Sequence, residues 1–214
     1  MLLTKFSHSC VRLEKDGRAI TIDPGTLSEA AEALTGAEAV LITHEHADHI
    51  DIDAVVAALP VDVYAPAGVA ATLRAAAPEH AARIRDAVPG QTIEAAGFTA
   101  ACFGGQHALI HATVPVVANV GYVIDDAVYH PGDSLVVPHG VAVSTVLVPV
   151  HAPWSKVAEV IDFLVSVRAP RAFQIHDGLL NETGLAFTEA HLARVGAMFG
   201  TEYRHLALRE DVEL

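Results

Sequence analysis

Thr43-His44-Glu45-His46-Ala47-Asp48-His49 sets three imidazoles and the Asp48 carboxylate within six residues of one another. Packing gives no reason for such a run, whereas neutral imidazole and carboxylate are the donors that bind a borderline divalent metal. Just before it, Ala39-Val40-Leu41-Ile42-Thr43 reads as a buried strand. Just after it, Asp51-Ile52-Asp53 opens an apolar-periodic helix that ends near Leu59. The cluster therefore occupies a loop leaving the carboxyl end of a strand, where open α/β sheets place their ligands. An exposed loop can be rich in histidine by chance; this one is wedged between two apolar elements.

Working outward, the chain reads as two similar halves. The first opens with a hairpin, Leu2 to Glu14 and Ala19 to Ile22, turning at Lys15-Asp16-Gly17 and ending in Asp23-Pro24-Gly25. The second repeats it with Val120 to Ile124, a turn at Asp125-Asp126, and Ala127 to Tyr129, ending in His130-Pro131-Gly132-Asp133. A strand-loop-helix-strand unit follows each hairpin. The first is Ala39 to Thr43, the His-rich loop, helix Asp51 to Leu59 and strand Val61 to Tyr64. The second is Val143 to Val150, the loop His151-Ala152-Pro153-Trp154, helix Ser155 to Arg168 and strand Ala172 to Ile175. Ser155 reads as the N-cap of that helix, and Ala169-Pro170 ends it. Between the halves, Ala-rich stretches at Gly68 to Ala76 and Glu79 to Val88 read as helical, followed by strands Thr92 to Ala95 and Phe98 to Phe103. A helix from Thr188 to Phe199 and a strand near Tyr203 to Leu208 close the chain.

Two sheets whose halves deliver loops to one edge predict further donors at equivalent strand ends. Asp133 follows Pro131-Gly132, His176 follows Phe173-Gln174-Ile175, and His107 follows Phe103-Gly104-Gly105-Gln106. Each alone is an ordinary turn or capping residue. With His44, His46, Asp48 and His49 they make seven candidate donors. His111 lies four residues beyond His107, and either could supply the ligand of that loop. His8 and His151 fall near strand ends and line the pocket or make ordinary hydrogen bonds. His130 supports Asp133 or simply packs. Trp154 reads as an interior residue capping the following helix, with a place over the cleft as the alternative. His80, His139, His191 and His205 carry no special role.

Composition bounds the partners. A length of 214 residues suits a single domain, 1–214, of two fused halves around a shared core. Hydrophobic residues reach 52%, yet no run approaches the roughly 18 apolar residues of a membrane span. The opening residues show no basic region followed by an apolar block, so no secretory signal is expected. Cys10 and Cys102 are too few for a disulfide scaffold and read as buried small residues of a cytoplasmic protein. A net charge of −13 is a poor footprint for nucleic acid, which is gripped by clustered Lys and Arg. The apolar content also admits a homo-oligomer.

His44-Glu45-His46-Ala47-Asp48-His49, a lone downstream His, Gly132-Asp133-Ser134 and His176 together resemble the metallo-β-lactamase superfamily, and Asp23-Pro24-Gly25 matches its first motif. The likeness runs from about Lys5 to the C-terminus. It is similar in particular to compact single-domain bacterial metal-dependent hydrolases related to L-ascorbate-6-phosphate lactonase. The resemblance implies an αββα sandwich of two pseudo-symmetric halves, with two divalent metal ions at the shared edge of the sheets. It implies one ion on His44, His46 and His107, a second on Asp48, His49 and His176, and Asp133 bridging ions about 3.5–4 Å apart. A hydroxide between the ions would attack the substrate, with Asp48 the catalytic residue that orients it and carries a proton to the leaving group. Asp23 would orient loops or imidazoles. Zinc is the first expectation, with Mn, Fe, Ni or Co also suited to these donors.

The expected substrate is a small ester, lactone or phosphoester. Alternatives are a phosphodiesterase acting on a nucleotide or phospholipid head group, and a non-catalytic metal- or ligand-binding protein that retains the site. The absence of a basic RNA-gripping arm argues against tRNA processing, and the absence of a secretory signal against antibiotic degradation. There is little room for an appended flavin module.

Overall fold

The computed structural model describes residues 1–214. Two seven-stranded mixed sheets lie face to face with helices outside, an αββα sandwich. The first sheet carries β1 (Leu2–Lys5), β2 (Val11–Lys15), β3 (Arg18–Ile22), β4 (Ala39–Leu41), β5 (Asp62–Ala65) and β6 (Ile84–Asp86) in chain order. The second carries β7 (Thr92–Ala95), β8 (Phe98–Gly104), β9 (Val120–Ile124), β10 (Val128–His130), β11 (Thr145–Pro149), β12 (Arg171–Ile175) and β13 (Glu202–Arg204). The last strand, β14 (Asp211–Glu213), returns to pair with β1 at the edge of the first sheet.

The pseudo-symmetry is visible in the pairing. In each sheet an antiparallel hairpin, β2–β3 or β9–β10, is followed by parallel strands, β4–β6 or β11–β13. Helices α2 (Ile52–Ala58) and α3 (Ala67–Ala76) cross over in the first half, α4 (Val157–Val167) and α5 (Glu182–Met198) in the second, and a short α1 (Ala30–Ala33) precedes β4. The parallel strands β4 and β11 are buried along their length, as strands covered on both faces must be. A central core of 22 buried residues, including Leu13, Leu41, Phe98 and Tyr122, joins the sheets. Separate apolar layers seat α2 and α3 on one outer face and α4 and α5 on the other. None of these helices is long and apolar enough to cross a membrane.

Several boundaries depart from expectation. The first hairpin arm is two antiparallel strands, β1 and β2, because the chain turns back at Ser7–Cys10, where His8 is left-handed (φ 57°). Glu79 to Val88 is not a helix. Pro78 opens a 3-10 stretch to Arg83, and Ile84–Asp86 then pairs in parallel with β5, so sheet pairing overrides composition. Lys156, not Ser155, caps α4: its N–H donates to Glu159 Oε2 at 3.3 Å, while Ser155 Oγ turns back to Ala152. The last helix begins six residues earlier than expected, where Asn181 Oδ1 accepts from Gly184 N at 2.9 Å. The final expected strand shortens to β13, and β14 was not foreseen.

At the functional edge, Tyr122 Oη of β9 donates across the interface to the Ile42 carbonyl at 2.8 Å, just before the His-rich loop. Both groups are buried. Tyr122→Phe should therefore lower stability by about 1–3 kcal/mol, the cost of an unsatisfied buried acceptor. Urea unfolding of the two proteins reads this as a lower midpoint with unchanged slope; an unchanged midpoint would contradict it.

Candidate metal centre

The carboxyl ends of β3, β4, β8, β10 and β12 and the β1–β2 connection converge on one edge, bringing Asp23, the His-rich loop, His107, Asp133, His176 and His8 together. Two glycines let the loops close. A Cβ on Gly25 would meet the Asp48 carbonyl oxygen at 1.9 Å, and one on Gly132 (φ 62°) would meet Asn119 Oδ1 at 2.4 Å and Thr43 Cβ at 2.6 Å. The Asp-Pro-Gly and Pro-Gly-Asp segments are thus wedges against which the donor loops rest. Strain concentrates here as well: His8, Asp23 and His176 all have positive φ, a conformation that needs support from its surroundings.

Ring orientation follows from the outward hydrogen bonds. His107 Nδ1 lies 2.6 Å from the Ala108 carbonyl, His176 Nδ1 2.6 Å from the His151 carbonyl, and His49 Nδ1 2.6 Å from Asp23 Oδ2. Carbonyl and carboxylate oxygens only accept, so each Nδ1 carries a proton, and Nε2 is the atom that offers a lone pair when the ring is neutral. For His44 the logic passes through Thr43. Its hydroxyl donates to Asp23 Oδ2 at 2.6 Å, leaving its oxygen to accept from His44 Nδ1 at 3.0 Å. Asp23 therefore fixes two rings and, through the Thr43 N–H at 2.8 Å, the start of the loop.

The inward atoms form two groups. His44, His46, His107 and Asp133 make one and His8, Asp48, His49 and His176 the other; within each, one ligand atom per residue lies within 4.8 Å of all the others. Asp133 spans both. Its Oδ1 is 3.0 Å from His49 Nε2, and its Oδ2 is 3.3 Å from His107 Nε2 and 3.2 Å from His176 Nε2. The Nε2 atoms of His49, His107 and His176 are buried without a standard hydrogen-bond partner, as is Asp133 Oδ1. Such orphaned atoms are rare, and a cation resolves them all at once. The 3.1 Å between His44 Nε2 and His46 Nδ1 is close to the roughly 3.3 Å edge of a tetrahedron with metal–nitrogen bonds of about 2.0 Å. The donor set fits a pair of divalent ions.

His8 completes the second group by position but not by tautomer. The Gly178 N–H donates to its Nδ1 at 3.3 Å, so its Nε2 is protonated and donates to Asp48 Oδ2 at 3.1 Å. It orients the carboxylate. Its loop is pinned by Lys5, only 2% exposed, whose ammonium donates to the carbonyls of Phe6 and His8 and lies 3.4 Å from Asp177.

Trp154 requires a correction. It does not serve as an interior cap; its Nε1–H donates to Asp133 Oδ2 at 2.9 Å, with ring centroids 6.1 Å from His107 and 6.3 Å from His176. His111 lies outside the cluster, exposed and bonded to Thr113. His130 does not touch the Asp133 carboxylate. It bonds the Ser9 carbonyl at 2.9 Å and the Gly132 N–H at 3.2 Å. His151 contributes its backbone carbonyl to His176. Asn119, absent from the sequence reading, holds the Asp133 loop: Oδ1 accepts from Asp133 N and Nδ2 donates to the Pro131 carbonyl, both at 2.9 Å. A lone Asn before a strand gives no signal of that.

Burial, then its imidazole neighbours, holds His44 well below the ordinary histidine range; burial likewise lowers His46. Burial opposes charge on His49 too, but Asp133 and Asp23 on either side raise it well above that range. A metal ion claiming the His49 Nε2 lone pair must therefore displace a proton. Zinc binding at pH 7 should release at least one proton per chain and weaken by about tenfold per pH unit for each proton as pH falls. Zinc titration in weakly buffered solution measures this, and pH-independent binding would contradict it.

A family model described as Beta-lactamase superfamily domain matches residues 2–176. Protein Rv0786c of Mycobacterium tuberculosis is 38% identical over 189 residues, covering 84% of this chain and 85% of the relative. Among solved structures, Igni18, a metallo hydrolase of the archaeon Ignicoccus hospitalis, superposes with TM-score 0.73 at 19% identity, covering 99% of this chain and 97% of its own. An isothiocyanate hydrolase from Delia radicum gut bacteria gives TM-score 0.70 at 17% identity, covering 100% and 99%. With this architecture and this convergence of strand ends, the chain belongs to the β-lactamase superfamily, in its metallo-β-lactamase fold.

Proposed function

We propose that the protein is a metal-dependent hydrolase that binds two divalent ions, zinc foremost, and cleaves a small ester, lactone or phosphoester. The observation that carries this reading is the set of buried, unpartnered Nε2 atoms around Asp133. Under it, His44, His46 and His107 would hold one ion, Asp48, His49 and His176 the other, and Asp133 would reach both. Ions held there supply Lewis acidity and bring the pKa of bound water to about 7. The hydrolase activities named for Igni18 and for the isothiocyanate hydrolase from Delia radicum gut bacteria, which share the fold, support the reaction class.

The two aspartates divide the work by exposure. Asp133 is 4% exposed and is tied down by Trp154 and Asn119, so it serves as a fixed clamp. Asp48 is 27% exposed and opens to the cleft. Burial alone would raise its carboxyl, but the His8 hydrogen bond and the nearby His49 and His176 rings hold it at about 2. At neutral pH it is thus ionised and kept in one orientation by His8, placed to orient the attacking oxygen.

Zinc-reconstituted protein should turn over at least one member of a panel of p-nitrophenyl esters, lactones and p-nitrophenyl phosphodiesters, with activity lost on chelation. Asp48→Asn should lower kcat by about 10²–10⁴-fold while the ion on His44, His46 and His107 is retained. A fully loaded wild type that is inactive on the whole panel would favour a metal-binding protein without catalysis.

A further inference from the structure

Beside the metal centre lies a cavity of about 500 Å³ with an apolar wall that includes Leu109, Ile110, Leu135 and Trp154 and a polar wall of Ser155, Lys156 and Glu159. This volume falls within the range of small-molecule pockets. Its wall is continuous with the donor set. Trp154 lines the cavity and bonds Asp133 Oδ2, while Ala108 donates its N–H to the Asp133 carbonyl at 2.8 Å and accepts from His107 Nδ1. Leu109 is 60% exposed and Ile110 37%, on the same loop as exposed Val114 and Val116. Apolar side chains held in water beside a polar centre mark a surface that is covered when a ligand binds. The one cation of the polar wall is paired with a carboxylate, Lys156 Nζ lying 3.1 Å from Glu159 Oε1, and that carboxylate disfavours a phosphate there. The smaller cavity near His8 is lined by Lys5, Asp177 and His205 together with Phe6, Leu206 and Leu208; at about 180 Å³ it falls below the size of small-molecule pockets.

We propose that the Leu109–Ile110–Leu135–Trp154 cavity binds the apolar portion of the substrate, an acyl or aryl group, while the reacting bond lies over the histidine–aspartate centre. This rests on the hydrolase reading above for the position of the bond, and it favours carboxylic esters and lactones with an apolar arm over phosphodiesters of polar head groups. Length of the apolar arm then sets selectivity.

Trp154 is the only tryptophan in the chain, so its emission reports occupancy of this cavity without any need for turnover. Zinc-loaded protein is titrated with acetate, butyrate, hexanoate and octanoate, in wild type and in Leu109→Glu, a substitution at a position 60% exposed. In wild type the half-saturating concentration should fall by roughly two- to fourfold per added methylene, the increment expected for burying a CH₂. In Leu109→Glu the series should flatten. Equal half-saturation along the series, or a series unchanged in Leu109→Glu, would overturn the proposal. p-Nitrophenyl esters of the same acids separate the two readings. A chain-length series in Trp154 emission without ester turnover upholds the cavity and defeats the hydrolase, whereas turnover with no chain-length dependence in KM or emission does the reverse.

Discussion

The rest of the structure depends on one constraint: several imidazoles whose Nδ1–H is already given to an outward acceptor. His49 gives it to Asp23, His107 to the Ala108 carbonyl and His176 to the His151 carbonyl, so each ring presents only its Nε2 inward. On a neutral ring that buried lone pair repels the Asp133 carboxylate, and on His49 a proton relieves the repulsion. A protein held together only by its own contacts has no reason to build such a cage. A bound cation would turn these interactions favourable, which accounts for the close hydrogen bonding of Asp23, Thr43 and Asn119 behind the donors.

The architecture exists to deliver those rings to one place. Each half supplies a hairpin and parallel strands, and the donors sit on loops at the ends of β4, β8, β10 and β12. The glycines of the two equivalent Pro-Gly turns let loops from different strands approach to distances no side chain permits. Across the sheets, Tyr122 ties β9 to the residue before the His-rich loop. Precision at the centre is therefore a property of the sandwich, not of any one loop.

Chemistry crowded into a short segment was legible in the sequence, and chemistry assembled across the fold was less so. His44, His46, Asp48 and His49 stand out because nothing in packing explains them. Asp133, His107 and His176 were legible as residues at strand ends once a repeat of two halves had been seen. The part of His8 as a donor to Asp48 was not, because its tautomer is set by an N–H 170 residues away at Gly178. Trp154 looked like core because a tryptophan beside a helix usually is; its bond to Asp133 spans 21 residues and a change of strand. The same divide applies to secondary structure. The hairpins and α4 follow from local periodicity, whereas β6, hidden in an Ala-rich stretch, and β14, in a polar tail, exist through their pairing with β5 and β1.

Anomalous diffraction from zinc-loaded crystals tests the central claim most directly. Two peaks should flank the Asp133 carboxylate, one among His44, His46 and His107 and the other among Asp48, His49 and His176. Peaks confined to surface carboxylates, with the ring nitrogens still facing one another without an ion between them, would contradict the account.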